Sequence, residues 1–366
     1  MPDKVLVAMS GGVDSSVALL KIVEKGYDAI GITMKLWEYQ DVGGNILEDS
    51  NCCSVGAINN AKLVCDRMNV PHYTVDFTDI FRNTVVDDFT NEYLAGRTPN
   101  PCVRCNSFVK WDAFIDQANQ LGAQYIATGH YATIKKEKNG SVYLKKGMDP
   151  LKDQSYVLWG IPVQTLPRTL FPLGGYTKED VRKIARENNL ETADIPESME
   201  ICFVADNNYK RFLKDYASDK MDKIGVGNII DESDNAIGTH DGYPNYTIGQ
   251  RKGLGLSNAN PLYVTEIDSN TNQIKVGNKN ALLENICTMS QVNWLVNKIK
   301  FPCQVEAQIR YNSPSVNVEV LKNDDEFKII FQEPQLAITP GQSIVFYKDD
   351  VVLGGGIIEK SHLENE

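Results

Sequence analysis

The chain has 366 residues, 42% hydrophobic and 23% charged, the proportions of an ordinary soluble globular protein with room for two or three cored domains. Its net charge of −11 excludes a broad, nonspecific coat of nucleic acid, though not a nucleic-acid substrate held on a local basic face. Eight cysteines are too few for a disulfide scaffold. No apolar run approaches the roughly 18 residues of a membrane helix, and "MPDKVLVAMS" lacks the basic region and cleavage site of a signal peptide, so a reduced cytoplasmic enzyme with no membrane partner is expected.

Four short apolar runs rich in branched residues read as buried strands: Lys4–Met9, Ala29–Met34, His72–Phe77 and Tyr125–Gly129. Helical patterns lie between them. The stretch 54–68 puts Ala57, Ala61, Val64, Cys65 and Met68 on one face; 79–94 does so with Phe81, Val85, Phe89 and Tyr93; 107–121 with Phe108, Trp111, Ile115 and Ala118. Gly122 reads as the stop of the third. Strand–helix alternation of this kind predicts an α/β domain, a parallel sheet covered by helices, over residues 1–210. Near its end, Thr177 and Asp180 form a variant capping box opening a helix over 178–188. Residues 211–280, rich in Gly, Asn and Asp, read as a small β-rich domain. From 281 to 366 alternation returns, as in Val305, Ala307 and Ile309 or Val316, Val318 and Val320, and predicts an antiparallel barrel.

The strongest chemical signal is "VAMSGGVDSSVALLKIVEKG". A strand runs into Ser10-Gly11-Gly12-Val13-Asp14-Ser15-Ser16 and then into a helix that stops at Gly26. Glycines let the backbone turn tightly and approach a ligand, and the new helix offers unpaired N–H groups and a positive dipole end to an anion. Ser10, Ser15 and Ser16 add hydroxyls, and the Asp14 carboxylate suits Mg²⁺ held against phosphates. Neither a Walker loop nor G-x-G-x-x-G is present.

The second signal is "TPNPCVRCN", Thr98 to Asn106, with Cys102 and Cys105 three residues apart. A C-x-x-C can be a redox pair, half a zinc site, part of an iron–sulfur site or a nucleophile beside a bystander, and it does not decide its own chemistry. Among the other cysteines, Cys65 sits on an apolar helix face, Cys287 and Cys303 fall in the predicted barrel, and Cys52-Cys53 carries no assigned role.

The S-G-G-V-D-S-S loop resembles the pyrophosphate loop of the ATP pyrophosphatases, which adenylate a carbonyl oxygen and release pyrophosphate. Together with "TPNPCVRCN", "YIATGHYA", "KDQSYVLWG", "EICFV", "YTIGQRKGLG", "RYNS" and "TPGQSIVFY…LGGGIIE", it resembles the bacterial tRNA-specific 2-thiouridylases, in order from residue 4 to about 359. The resemblance implies an adenine-nucleotide alpha-hydrolase-like fold and ATP with Mg²⁺. The nucleotide would lie on Ala8, Met9, Ser10, Gly11, Gly12, Val13, Asp14 and Ser15, with Met34 and Gly129 near adenine or ribose. Taken alone, Met34 and Gly129 would be core packing and a turn. Asn100, Pro101 and Cys102 would face a flipped wobble uridine. His130, Lys152-Asp153-Gln154, Arg310-Tyr311 and Gln342 would contact tRNA, with Lys152 and Arg310 on phosphates. Each would otherwise be a structural histidine or a solvated surface residue.

By the same resemblance Cys202 carries a persulfide delivered by a cysteine desulfurase or a sulfur relay protein, Cys105 is the nucleophile, and a disulfide between them closes each cycle. Adenylation turns a poor oxygen leaving group into AMP, which a soft sulfur nucleophile displaces. The chain departs from the family at Cys102, often Asp, and at Glu197-Ser198-Met199-Glu200, often Asp-Ser-Thr-Gly. With Cys102 present, a second reading is a 4Fe–4S cluster on Cys102, Cys105 and Cys202. A synthetase acting on a small metabolite and an ATP-sensing module are the competing functions; neither needs the paired cysteines. A monomer is expected.

Overall fold

The computed structural model describes residues 2–37, 55–197, 201–204, 206–324 and 326–364. Branched apolar runs form the strands of a five-stranded parallel sheet: β1 (Lys4–Ala8), β2 (Asp28–Lys35), β3 (His72–Asp76), β4 (Tyr125–Ala127) and, after the hairpin β5 (Ala132–Lys136) and β6 (Val142–Lys146), β7 (Thr169–Leu170). Their order is β3-β2-β1-β4-β7. Val5, Leu6 and Val7 of β1 are wholly buried, as a central strand covered on both faces requires. β3 differs from expectation. It is the sheet's edge, and Tyr73, Thr74 and Asp76 are exposed.

Helix α1 (Val13–Glu24) follows β1, and α2 (Val55–Arg67) precedes β3. Buried Ala57, Ala61, Val64 and Cys65 form the expected inner face of α2, and burial pushes the Cys65 thiol up to about 12, leaving it an inert packing group. The next helix is continuous over 78–94 but widens to π-helical turns at Arg82–Val86. The one after it begins at Pro101, six residues before the expected start, and runs to Gln120 with a π-helical middle, Cys105–Ala113. Wider turns rotate the face, so Val109 and Phe114 join Trp111 and Ala118 in the core while Phe108 lies half-exposed beneath Arg104. Both cysteines of the C-x-x-C therefore stand on this helix. The capping box appears as expected, with Thr177 and Asp180 exchanging hydrogen bonds at the start of the Lys178–Glu187 helix.

Two short helices, Tyr209–Tyr216 and Ser218–Ile224, precede the central β domain and were not expected; buried Phe212 and Leu213 tie the first to the core of the N-terminal domain. Strands β8 (Gly227–Ile230), β9 (Ala236–His240), β10 (Tyr263–Asp268) and β11 (Gln273–Gly277) then form a sheet ordered β10-β11-β8-β9. The last six strands are β12 (Leu283–Trp294), β13 (Cys303–Gln308), β14 (Val316–Asn323), β15 (Glu326–Leu336), β16 (Ser343–Lys348) and β17 (Val351–His362). They close into an antiparallel barrel through β12–β17 pairing. The β5–β6 hairpin extends this sheet, with Lys145 paired to Val351. On β16 the period of two separates two cores: Ile344 and Phe346 enter the barrel, while Val345 and Tyr347 enter the core of the N-terminal domain.

Phe203 is buried beside Cys202, with its ring edge-on to Phe81, Phe89 and Phe212. Phe203→Ala is expected to cost about 3–5 kcal/mol, read as a lower denaturant midpoint at unchanged slope.

Candidate active site

Sheet order reverses at β1, so a crevice opens beyond the carboxyl ends of β1 and β4, where open α/β sheets bind ligands. A cleft of about 190 Å³ lies there. It is lined by Ala8 at the end of β1, by Met9, Ser10, Asp14 and Ser15 after it, by Met34 near the end of β2 and Leu36 just beyond it, by Thr128, Gly129 and His130 beyond β4, and by Lys110 and Gln154. The structure thus gathers most of the residues expected at the nucleotide, and beside them His130 and Gln154, which were expected to contact tRNA.

Gly11 has φ +75°, and a Cβ there would stand 2.1 Å from the Ala57 carbonyl oxygen, so only glycine fits the turn. Gly12 begins α1 with no side-chain cap, leaving first-turn amides to an incoming anion. The Ser15 hydroxyl accepts from the Ser10 amide at 3.2 Å and donates to the Gly12 carbonyl at 3.0 Å, bracing the loop.

Asp14 is already partnered. Lys178 donates to both its carboxylate oxygens at 2.8 Å, and the Tyr131 hydroxyl donates to one at 2.8 Å. Lys178 also pairs with Glu197 at 3.2 Å, which in turn pairs with Lys152 at 2.7 Å and Arg182 at 3.8 Å. Burial works to raise the Glu197 carboxyl, but the hydrogen bonds and charges of Lys152 and Lys178 outweigh it and hold it below the usual range. Asp14, Ser10 and Ser15 offer the hard oxygen donors that suit Mg²⁺, with Lys178 standing where a divalent cation would meet the carboxylate.

Cys102 is at the second position of the cysteine helix, exposed, while Cys105 is buried and Cys202 half-buried. Cys105 belongs to the main apolar core, and Cys202 packs against the same core. The Cys102 residue is exposed; the protein atoms gathered around it push its thiol up, and the Lys110 charge, the smaller effect, pulls it down. Among the described residues no three of His, Cys, Asp and Glu are gathered to hold a metal ion. Cys102, Cys105 and Cys202 are accordingly not drawn together as such a group in this structure. Cys52 and Cys53 lie outside the described residues.

The expected tRNA contacts separate into two kinds. Lys152, Tyr311 and Arg310 keep reach toward solvent, although Arg310 also donates to the Leu336 and Ala337 carbonyls. Tyr311 stands beside Tyr156, and Asp153, Cys102 and Glu197 add to burial in raising its phenol, so this barrel residue faces the cysteine helix. Asp153 is structural in its contacts, accepting from Gly147 and Ser155. His130 is buried, bonded to the Thr128 hydroxyl at 2.7 Å, and burial, then the Lys110 charge, drives it well below its ordinary value. Gln342 donates to the Thr98 and Pro99 carbonyls. Lys178, Tyr131 and Lys110 were not singled out from sequence, and Glu197 only as a departure from the family's motif. Lys178 is 164 residues from Asp14 and reads as a routine first-turn residue beside its capping threonine.

Three family models cover the chain: the tRNA methyl transferase HUP domain over residues 3–206, the tRNA methyl transferase PRC-barrel domain over 210–278, and the aminomethyltransferase beta-barrel domain over 284–358. The tRNA-specific 2-thiouridylase MnmA of Carboxydothermus hydrogenoformans is 48% identical over 361 residues, covering 98% of each chain. That of Salinibacter ruber is 46% identical over 373 residues, covering 99% of this chain and 96% of its own. That of Lachnoclostridium phytofermentans is 44% identical over 359 residues, covering 98% and 99%. With the phosphate loop, the cysteine helix and the barrel all present in one chain, the protein belongs to the tRNA-specific 2-thiouridylase family.

Proposed function

We propose that this chain catalyses ATP-dependent 2-thiolation of the wobble uridine of tRNA. The observation that carries the reading is a single cleft shared by the phosphate loop and the helix bearing Cys102 and Cys105, with Lys110 of that helix in its wall. A small-metabolite synthetase would need neither that helix nor a barrel whose Tyr311 faces it. Methyl transfer has only the domain names behind it.

In this reading the α1 amides, Ser10 and Ser15 hold the phosphates of ATP, and Met34, Leu36 and Gly129 wall the nucleoside. Bound Mg²⁺ supplies neutralisation of phosphate charge. Lys178, delivered to the loop by Asp14, is placed to follow the departing pyrophosphate. The uridine O2 attacks the α-phosphorus, pyrophosphate leaves, and C2 now bears AMP as a leaving group. Cys202 arrives as a persulfide, loaded by a cysteine desulfurase or a sulfur relay protein. The Cys105 thiolate attacks the inner sulfur of Cys202 and forms the disulfide. The expelled hydrosulfide adds to C2, AMP departs, and a dithiol reductant restores both thiols. Asn100, Pro101 and Cys102 face the flipped base, while His130 and Gln154 line the pocket and Lys152, Arg310 and Tyr311 face the RNA.

The decisive assay supplies ATP, a sulfide source and unmodified tRNA, and scores 2-thiouridine by nucleoside mass spectrometry. Asp14→Ala is expected to lower AMP and pyrophosphate formation by about a hundredfold or more, since it removes the carboxylate that orders Lys178 at the loop. AMP formation at the wild-type rate would sink the assignment of Asp14. In persulfide-driven turnover, Cys105→Ser and Cys202→Ser should each abolish thiolation while tRNA-dependent AMP formation persists.

His130 gives a pH test. Its folded form stays neutral because burial disfavours the imidazolium, while the unfolded chain takes up a proton below the ordinary value of 6.5. Stability from this group is therefore complete above 6.5 and lost as pH falls below it. Denaturant midpoints from about pH 7.5 to about 5.5 should fall less steeply for His130→Gln, by at most about 1.4 kcal/mol per pH unit.

A further inference from the structure

The stretch between the helix over 78–94 and the cysteine helix is held from outside its own domain. The Tyr243 hydroxyl of the central domain donates to the Leu94 carbonyl at 2.6 Å. Arg97 donates to Glu92 at 2.7 Å and, across to the barrel, to Glu359 at 3.2 Å and the Ile358 carbonyl at 3.4 Å. Glu359 accepts from Ser290 as well, so its carboxylate is fixed on the barrel side. The Thr98 amide donates to the Pro340 carbonyl at 2.9 Å, and the Gln342 side chain donates to the Thr98 carbonyl at 2.9 Å and the Pro99 carbonyl at 3.1 Å.

The barrel loop that makes these bonds is itself locked. The Gly341 amide donates to the Ile358 carbonyl at 2.9 Å, and the Ile358 amide donates back to the Gln342 carbonyl at 2.8 Å. Gly341 has φ +90°, and a Cβ there would lie 2.8 to 3.0 Å from backbone atoms of Thr98. The two backbones touch because no side chain separates them. Beyond the contact there is little slack. Thr98 and Asn100 each precede a proline, which biases both toward extended backbone, and Pro101 opens the helix whose second residue is Cys102. A displacement of Thr98 is therefore passed along a stiff strut to the cysteines.

We infer that Gly341 and Gln342 of the barrel are positioning residues for sulfur transfer, holding the segment that carries Cys102 and Cys105 in register with the cleft. The inference rests on the reading above that Cys105 acts on sulfur. It also gives Gln342 a task in the enzyme itself, distinct from the RNA contact expected from sequence.

The test uses the full chain with Gln342→Leu, which removes both donors and keeps the bulk, and Gly341→Ala, which forces the strut away. Steady-state thiolation is measured against tRNA concentration, with iodoacetamide labelling of Cys105 followed by peptide mass spectrometry in the absence of ATP and tRNA. The expected result for Gln342→Leu is a kcat lowered by about tenfold or more with KM for tRNA within about twofold of wild type. Cys105, buried in the native chain, should label about fivefold faster or more in either variant that folds. A raised KM with unchanged kcat would make Gln342 an RNA contact only and overturn the inference, as would unchanged labelling. If Gly341→Ala does not fold, Gln342→Leu decides alone. If the native chain thiolates no tRNA, the functional reading fails, while the labelling experiment still judges the positioning.

Discussion

One strand, β16, carries a different core on each of its faces, and much else depends on that arrangement. Ile344 and Phe346 belong to the barrel, while Val345 and Tyr347 are wholly buried against the nucleotide domain. Burying one such large apolar side chain contributes about 1.5–3 kcal/mol, so the two bodies share a hydrophobic seam rather than a wet contact. Polar bonds reinforce it where they are sheltered: the Tyr156 hydroxyl donates to the Ser343 carbonyl, and Asn293 donates to the Trp159 and Ile161 carbonyls. Beside this seam the barrel loop reaches Thr98 and Pro99 through direct hydrogen bonds.

Around the cleft, charge is arranged locally against the acidic balance of the whole chain. Lys178, Lys152, Arg182 and Lys110 converge near the phosphate loop, yet three of them are tied together by the single carboxylate of Glu197. The carboxylates keep the lysines ordered without an anion present, since close packing of unshielded ammonium groups would repel. A polyanionic ligand can then exchange for those carboxylates at modest cost. Basic groups are thus concentrated beside the phosphate loop of a chain whose net charge is −11.

Much of this was legible in the residues. The phosphate loop could be read because its chemistry is contiguous: Ser10 to Ser16 sit between a strand and a helix whose periods are unambiguous. The barrel could be read from alternation at Val316, Val318 and Val320. Other features escaped for physical reasons. The start of the cysteine helix was misjudged because two prolines within four residues look like loop punctuation, although Pro101 at a first helical position is favourable. Its inner face was misjudged at Phe108 because π-helical turns change the period. β3 looked buried from composition, and only pairing order reveals an edge. Lys178 with Asp14, and Gln342 with Thr98, are long-range contacts that no local pattern encodes.

The hairpin β5–β6 belongs by sequence to the first half of the chain and by hydrogen bonding to the barrel, where it lies against β17, some two hundred residues later. Thr98 likewise waits for Pro340 and Gln342. A growing chain can therefore assemble the parallel sheet and its phosphate loop long before its cysteine segment is braced. In order of synthesis, the bonds from Pro340 and Gln342 that brace the cysteine segment come only once the barrel strands have been made. A chain cut within the barrel would lose the bonds that Pro340 and Gln342 make to Thr98 and, with them, the bracing of its cysteine segment.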